Sequence, residues 1–130
     1  MTLLSVFQGF VLIFGAADTA CAESGRDYRD GEVVLQVVRT RANLHKKGWK
    51  RYDGTLWTAL WAKDQHAHGC RWPLTWQHVE LGIRFVTNTL DVPPWAKKAM
   101  YYCGRWDRHG ACKIRGGRRV LGKITHVFWE

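Results

Sequence analysis

Charge is divided along this chain in a way that limits what it can fold into. The first 25 residues hold no Lys or Arg, and all 20 basic residues fall from Arg26 onward. This head without basic residues contains the run Leu3-Leu4-Ser5-Val6-Phe7-Gln8-Gly9-Phe10-Val11-Leu12-Ile13-Phe14, followed by the small residues Gly15-Ala16-Ala17. That order of apolar stretch and small residues is the pattern of a secretory signal, with cut positions after Ala17 or after Ala22, although a positive n-region is missing. The run is shorter than the roughly 20 apolar residues a transmembrane helix needs. Residues 1–17 are therefore read as a signal-like or anchoring segment, with a buried first helix as the alternative, and residues 18–130 as the folded unit.

The remainder has the length and composition of one globular domain. The chain has 130 residues, 46% apolar and 24% charged, which suits a single core and excludes a disordered tail, a solenoid or a polytopic membrane protein. The formal net charge of +9 favours polyanionic partners. Eight Trp in so short a chain suggest that some line a cleft where flat rings stack. Four cysteines (Cys21, Cys70, Cys103 and Cys112) contain no CxxC pair. Cys103 and Cys112 flank a turn-rich stretch and could close a disulfide loop in an exported protein, leaving Cys21 to face Cys70 or both to stay free.

Periodicity places the elements. Asp30 is read as the cap of a helix running to about Asn43, with Val33, Val34, Val37 and Val38 as its apolar stripe and Arg39 and Arg41 outside it. Lys46-Lys47-Gly48-Trp49-Lys50-Arg51 reads as a basic loop. Thr55 caps a second helix in which the Trp57/Trp61 pair is assigned to the core. A third begins near Thr75 with Val79, Ile83, Val86 and Leu90 in phase, and Asp91-Val92-Pro93-Pro94 stops it. Residues 100–103 and 124–129 read as short strands, and 113–119 as a basic turn between them. The expected architecture is α+β, a mainly helical single domain with a small β element near the C-terminus.

Acidic residues are scarce, which narrows the search for chemistry. Glu23-Ser24-Gly25 lies at the end of the apolar stretch, and Gly25 suits a turn of positive φ. A glutamate there faces a cleft wall, where partial burial raises a carboxyl pKa and makes it a proton donor near neutrality. Two other readings compete. His66, His68 and Cys70, with His78 or His109, are ligand types that zinc accepts, as in an amidase or nuclease, though their spacing matches no zinc motif. The Arg115-to-Arg119 cluster and the net charge would suit a nucleic-acid binder, against which the apolar head argues.

Four stretches in order carry a family resemblance. Glu23-Ser24-Gly25-Arg26-Asp27, then Gly31 and Val33-Val34-Leu35-Gln36-Val37-Val38-Arg39-Thr40-Arg41, resemble the opening of the SleB-type cell wall hydrolases, which reads roughly EARGE, a gap, G, then AVANVVLNR. Gly54-Thr55-Leu56 followed by Gln65-His66-Ala67-His68-Gly69-Cys70-Arg71-Trp72 is similar to that family's "TI … QFSCW". Asp91 to Tyr102 resembles its "DPTGGAxYY", and His126-Val127-Phe128-Trp129 its closing "HVFY". The likeness spans about residues 16–130. The chain departs from it at Arg26-Asp27, His66-Ala67 and Thr40-Arg41. The resemblance implies a lysozyme-like helical fold and cleavage of peptidoglycan between N-acetylmuramic acid and N-acetylglucosamine, in lytic-transglycosylase or muramidase fashion, and the departures suggest a divergent, phage-borne member such as an endolysin. It places the catalytic acid on Glu23. Gln65, Tyr101 and Tyr102 are expected to contact the sugar. Neither metal nor cofactor is implied. The expected partner is the glycan strand rather than nucleic acid, with a membrane contact through residues 3–17, in the periplasm, the cell wall or a virion. A cut after Ala22 would leave Glu23 as a free N-terminus with no helix to position it.

Overall fold

A computed structural model describes residues 2–44, 55–62, 66–104, 119–121 and 126–129. Within them the chain is mainly helical: α1 (Leu3–Ser24), α2 (Tyr28–Leu44), α3 (Leu56–Leu60) and α4 (Trp76–Thr87), followed by a 3₁₀ helix (Pro94–Lys98). Three short strands complete it, β1 (Tyr101–Gly104), β2 (Arg119–Leu121) and β3 (His126–Trp129). The expected basic loop 46–51, Gln65, His109, Cys112 and the turn residues 113–118 lie outside the described residues.

Helix α2 is central because its sequence is apolar on more than one face. Val33, Val34 and Val37 pack with Ala96, Ala99 and Phe128. Leu35, Val38 and Ala42 pack with Ala16 and Ala20 of α1, Leu60 of α3, and Leu81 and Phe85 of α4. Arg41, expected outside the stripe, is buried. Its Nε donates to the Met100 carbonyl at 2.8 Å and its guanidinium lies over the Tyr101 ring, contacts that make a buried cation tolerable. Trp57 and Trp61, assigned to the core, are instead 40% and 39% exposed.

Two helix boundaries differ from the sequence reading for identifiable reasons. Asp27, not Asp30, caps α2: its Oδ1 accepts the Asp30 N–H at 3.1 Å. The Asp30 carboxylate is thereby left to a different partner. Helix α4 does start at a Thr75 cap, which forms a capping box with His78. It ends at Asn88, in the left-handed conformation, before the prolines are reached. Its buried face is His78, Leu81, Gly82 and Phe85; of the stripe read from sequence, Val86 and Leu90 are partly buried against the helical core, while Ile83 is exposed.

The sheet has the order β1-β3-β2 with antiparallel pairs, Tyr102 opposite Phe128 and Gly104 opposite His126. The β2 strand begins at Arg119, where a turn was expected. Three residues are too few to show alternation, so only pairing with β3 reveals it.

The apolar head is one continuous helix, of the length and composition of a signal sequence or a membrane span. Its second half belongs to the domain: Gly15, Ala16, Ala17, Thr19, Ala20, Cys21 and Ser24 are buried. A cut after Ala17 would remove Ala16 from the helical core, and a cut after Ala22 would also remove Cys21, which forms a disulfide with Cys70. Helices α1 and α4 cross so closely that a Cβ on Gly82 would lie 2.1 Å from the Ile13 carbonyl oxygen. Alanine normally stabilises a helix interior over glycine by about 1 kcal/mol. Gly82→Ala should instead destabilise this protein by about 1–3 kcal/mol, because the crossing must open; chemical denaturation compared with wild type measures the sign.

Candidate functional site

The end of α1 is held against the 66–70 segment by several bonds. Besides the Cys21–Cys70 disulfide, with Cα atoms 5.5 Å apart, Asp18 accepts the backbone N–H of Gly69 at 2.7 Å and of Cys70 at 2.9 Å. Thr19 Oγ1 bonds His68 Nδ1 at 3.0 Å. Docked in this way, the segment points the Ala67 N–H at Glu23 Oε1. Gly25 follows with φ +59°, so the chain turns sharply into α2 where a side chain would be strained. That turn brings the first turn of α2 beneath the end of α1.

Between the two helices lies His126, the first residue of β3. Its Nδ1 bonds Asp30 Oδ2 at 2.5 Å, and its backbone N–H donates to Asp30 Oδ1 at 3.1 Å. Its Nε2 bonds Glu23 Oε2 at 3.1 Å. Ser24 Oγ also donates to Asp30 Oδ2, at 2.5 Å. The imidazole is thus gripped between two carboxylates, with side-chain exposures of 4% for His126, 3% for Asp30 and 14% for Glu23. Glu23 is the one member that reaches toward solvent.

The electrostatics follow from this arrangement. Burial disfavours a charged imidazole, but the hydrogen bonds to Asp30 and Glu23 and their negative charges outweigh it and push the His126 pKa up to about 9. Burial by itself would raise the Glu23 carboxyl, as expected from sequence. Here the hydrogen bonds from His126 and the Ala67 N–H, with the charge of His126, more than offset it and lower the pKa. At neutral pH the resting pair is therefore a Glu23 carboxylate beside a His126 imidazolium, which corrects the picture of a carboxyl kept protonated by burial alone.

Tyr102 and His66 close one side. The Tyr102 hydroxyl lies 2.6 Å from His66 Nδ1, and its ring meets His126 edge-on at 5.1 Å. Burial and the charge of Glu23 raise the Tyr102 pKa, so the phenol remains protonated. Burial and the charge of Arg41 push His66 down to about 4, leaving it neutral. Of the expected site residues, Glu23 and Tyr102 are brought together. Tyr101 lies on the alternate face of β1, with the Arg41 guanidinium over its ring as it is over that of Tyr102, and Gln65 lies outside the described residues. The zinc ligand set is dispersed: Cys70 is in a disulfide, His66 and His68 bond Tyr102 and Thr19, and His78 bonds the Gly25 carbonyl at 2.6 Å. Among the described residues no group of three or more His, Cys, Asp or Glu is placed to hold a metal ion.

Sequence reasoning did not assign chemistry to His126 and Asp30. His126 was visible as the first residue of the closing His-Val-Phe-Trp motif, and Asp30 as a helix-start residue. Only the fold shows that they meet, 96 residues apart in sequence. Together these contacts define the class of site: a carboxylate–imidazolium–carboxylate centre with one carboxylate facing outward. No protein-family model matches this chain, and no significant match to it is found among curated proteins or solved structures.

The raised His126 pKa makes stability pH-dependent with a definite sign. In the unfolded chain a histidine titrates near 6.5, so the folded state binds its proton more tightly. That stabilisation is complete below about pH 6.5 and is lost as pH rises toward about 9. On the linkage relation it is worth about 3 kcal/mol. Denaturation measured from pH 6.5 to 9.5 should show this decline in wild type and a much flatter profile in His126→Gln.

Proposed function

We propose that this protein is a peptidoglycan-cleaving glycosidase of lysozyme-like fold, acting between N-acetylmuramic acid and N-acetylglucosamine as a lytic transglycosylase or muramidase, with Glu23 as its acid/base. The observation that carries the reading is the Glu23–His126–Asp30 chain. The glutamate and the closing His-Val-Phe-Trp, two of the stretches that resemble the SleB-type hydrolases, contact each other although 103 residues separate them. Export to the periplasm or cell wall, or carriage in a virion, belongs to the same proposal, and an apolar first helix is compatible with it.

In this reading His126 holds the proton that the reaction needs. It passes from Nε2 to Glu23 Oε2 across the 3.1 Å contact, and Glu23 delivers it to the glycosidic oxygen as positive charge develops on the muramyl C1. The bond between C1 and that oxygen breaks, and the leaving sugar departs as an alcohol. The substrate's own 2-acetamido group stabilises C1, so a second carboxylate at the sugar is not required. Glu23, again a carboxylate, takes a proton from the muramyl 6-hydroxyl or from water, whose oxygen bonds to C1. The first route leaves an anhydro sugar and the second a reducing end. The proton then returns to His126, with Asp30 balancing its charge throughout. The hydrogen-bonded Ala67 N–H holds the other carboxylate oxygen in place.

Digestion of purified peptidoglycan, with mass spectrometry of the released muropeptides, tests the proposal. Wild type should release anhydro-muramyl or reducing muramyl ends, and Glu23→Gln should lose at least about 100-fold in rate, the scale of acid/base catalysis. The rate should also fall as pH passes about 9, where His126 gives up its proton. No released muropeptides from wild type, or an unimpaired Glu23→Gln, would refute it.

A further inference from the structure

The first half of α1 presents large apolar side chains to solvent. Its exposed large apolar residues are Leu3, Leu4, Val6, Phe7, Phe10 and Phe14, with Leu3 90% and Phe7 65% exposed. At 100° per residue they occupy an arc of about 160°. On the other side of the helix lie Ser5, Gln8 and Gly9, and Leu12, which packs against the helical core. The arc thus points away from the domain. No charged residue occurs before Asp18. Isolated apolar side chains on a surface are ordinary, but a contiguous uncharged stripe rich in phenylalanine marks an interaction surface.

We propose that this outward half of α1 is a membrane-docking arm that inserts into a bilayer containing anionic phospholipid. Two observations choose lipid over another protein. The net charge of +9 repels a second copy and is attracted to an anionic surface. Residues 3–14 also carry no charged side chain and are hydrophobic round most of the helix, a composition suited to hydrocarbon. Residues 3–14 extend about 18 Å at 1.5 Å per residue, short of the about 30 Å hydrocarbon core, and from Leu12 onward the helix packs on the domain, so the arm enters the bilayer without crossing it. Because the helix is unbroken, Glu23 lies about 14 Å along the axis beyond Phe14. Docking would hold the Glu23 centre at a set height above the membrane. The inference rests on α1 and the net charge of the chain and not on the reaction proposed for that centre.

Flotation of the full-length, oxidised protein with vesicles tests it. Wild type should float with phosphatidylcholine vesicles containing one quarter phosphatidylglycerol and much less with phosphatidylcholine alone, and added salt should weaken the binding. The triple variant Phe7→Ser, Phe10→Ser, Phe14→Ser should melt as wild type does and bind the anionic vesicles at least about 100-fold more weakly. If the triple variant does not fold, Phe7→Ser alone should still weaken binding severalfold. Wild type that stays with the vesicle-free protein would overturn the proposal, as would serine variants that bind equally well. A concentration-dependent dimer that needs the phenylalanines, with no flotation, would assign the arm to a second copy and overturn it too.

Discussion

The buried imidazolium of His126 is the contact on which the arrangement of the chain's two ends depends. It bonds Glu23 at the end of α1, Asp30 in the first turn of α2, and through its own backbone N–H fixes the start of β3. A buried charge is costly unless paired and hydrogen-bonded, and here both ring nitrogens and the backbone N–H are satisfied by carboxylates. Removing one partner would leave a charge stranded in the interior. The same bonds join three distant elements of the fold at one point.

Helix α1 combines two environments on one rod. Its small residues Gly15, Ala16, Ala17 and Ala20 allow neighbouring elements to approach, while its large apolar residues Phe7, Phe10 and Phe14 face outward. The Cys21–Cys70 disulfide closes a separation of 49 residues beside the site. In the chain-entropy account a loop of that length is worth about 4 kcal/mol through the unfolded state. It also secures the segment that presents the Ala67 N–H to Glu23, so an oxidising compartment would serve both fold and site. Cys103 is disulfide-bonded as well, to a partner outside the described residues.

Much of the helical content was legible because local chemistry encodes it. The caps Thr55 and Thr75, the positive φ at Gly25 and the valine-rich face of α2 each follow from residues a few positions apart. The errors have a common cause. Asp27 and Asp30 are both acceptable caps, and only the position of His126 makes Asp30 unavailable. The apolar residues of α4 run on several faces, so its buried side is chosen by the close approach of α1 at Gly82, which no periodicity reports. Arg41 looks like a surface cation until the Met100 carbonyl is placed beside it.

The same division holds at the site. Sequence alone was enough to mark Glu23 as a candidate, since acidic residues are scarce and this one lies at the end of the apolar stretch, and enough to expect an apolar head, a helical domain and a small terminal sheet. What the carboxylate is next to was decided by tertiary structure: Asp30 and His126 are 96 residues apart, and proton affinity depends on neighbours in space. Burial was predictable from composition and favoured a protonated glutamate. The pairing with His126 reverses that direction, because charge and hydrogen bonding at about 3 Å outweigh the desolvation that burial imposes.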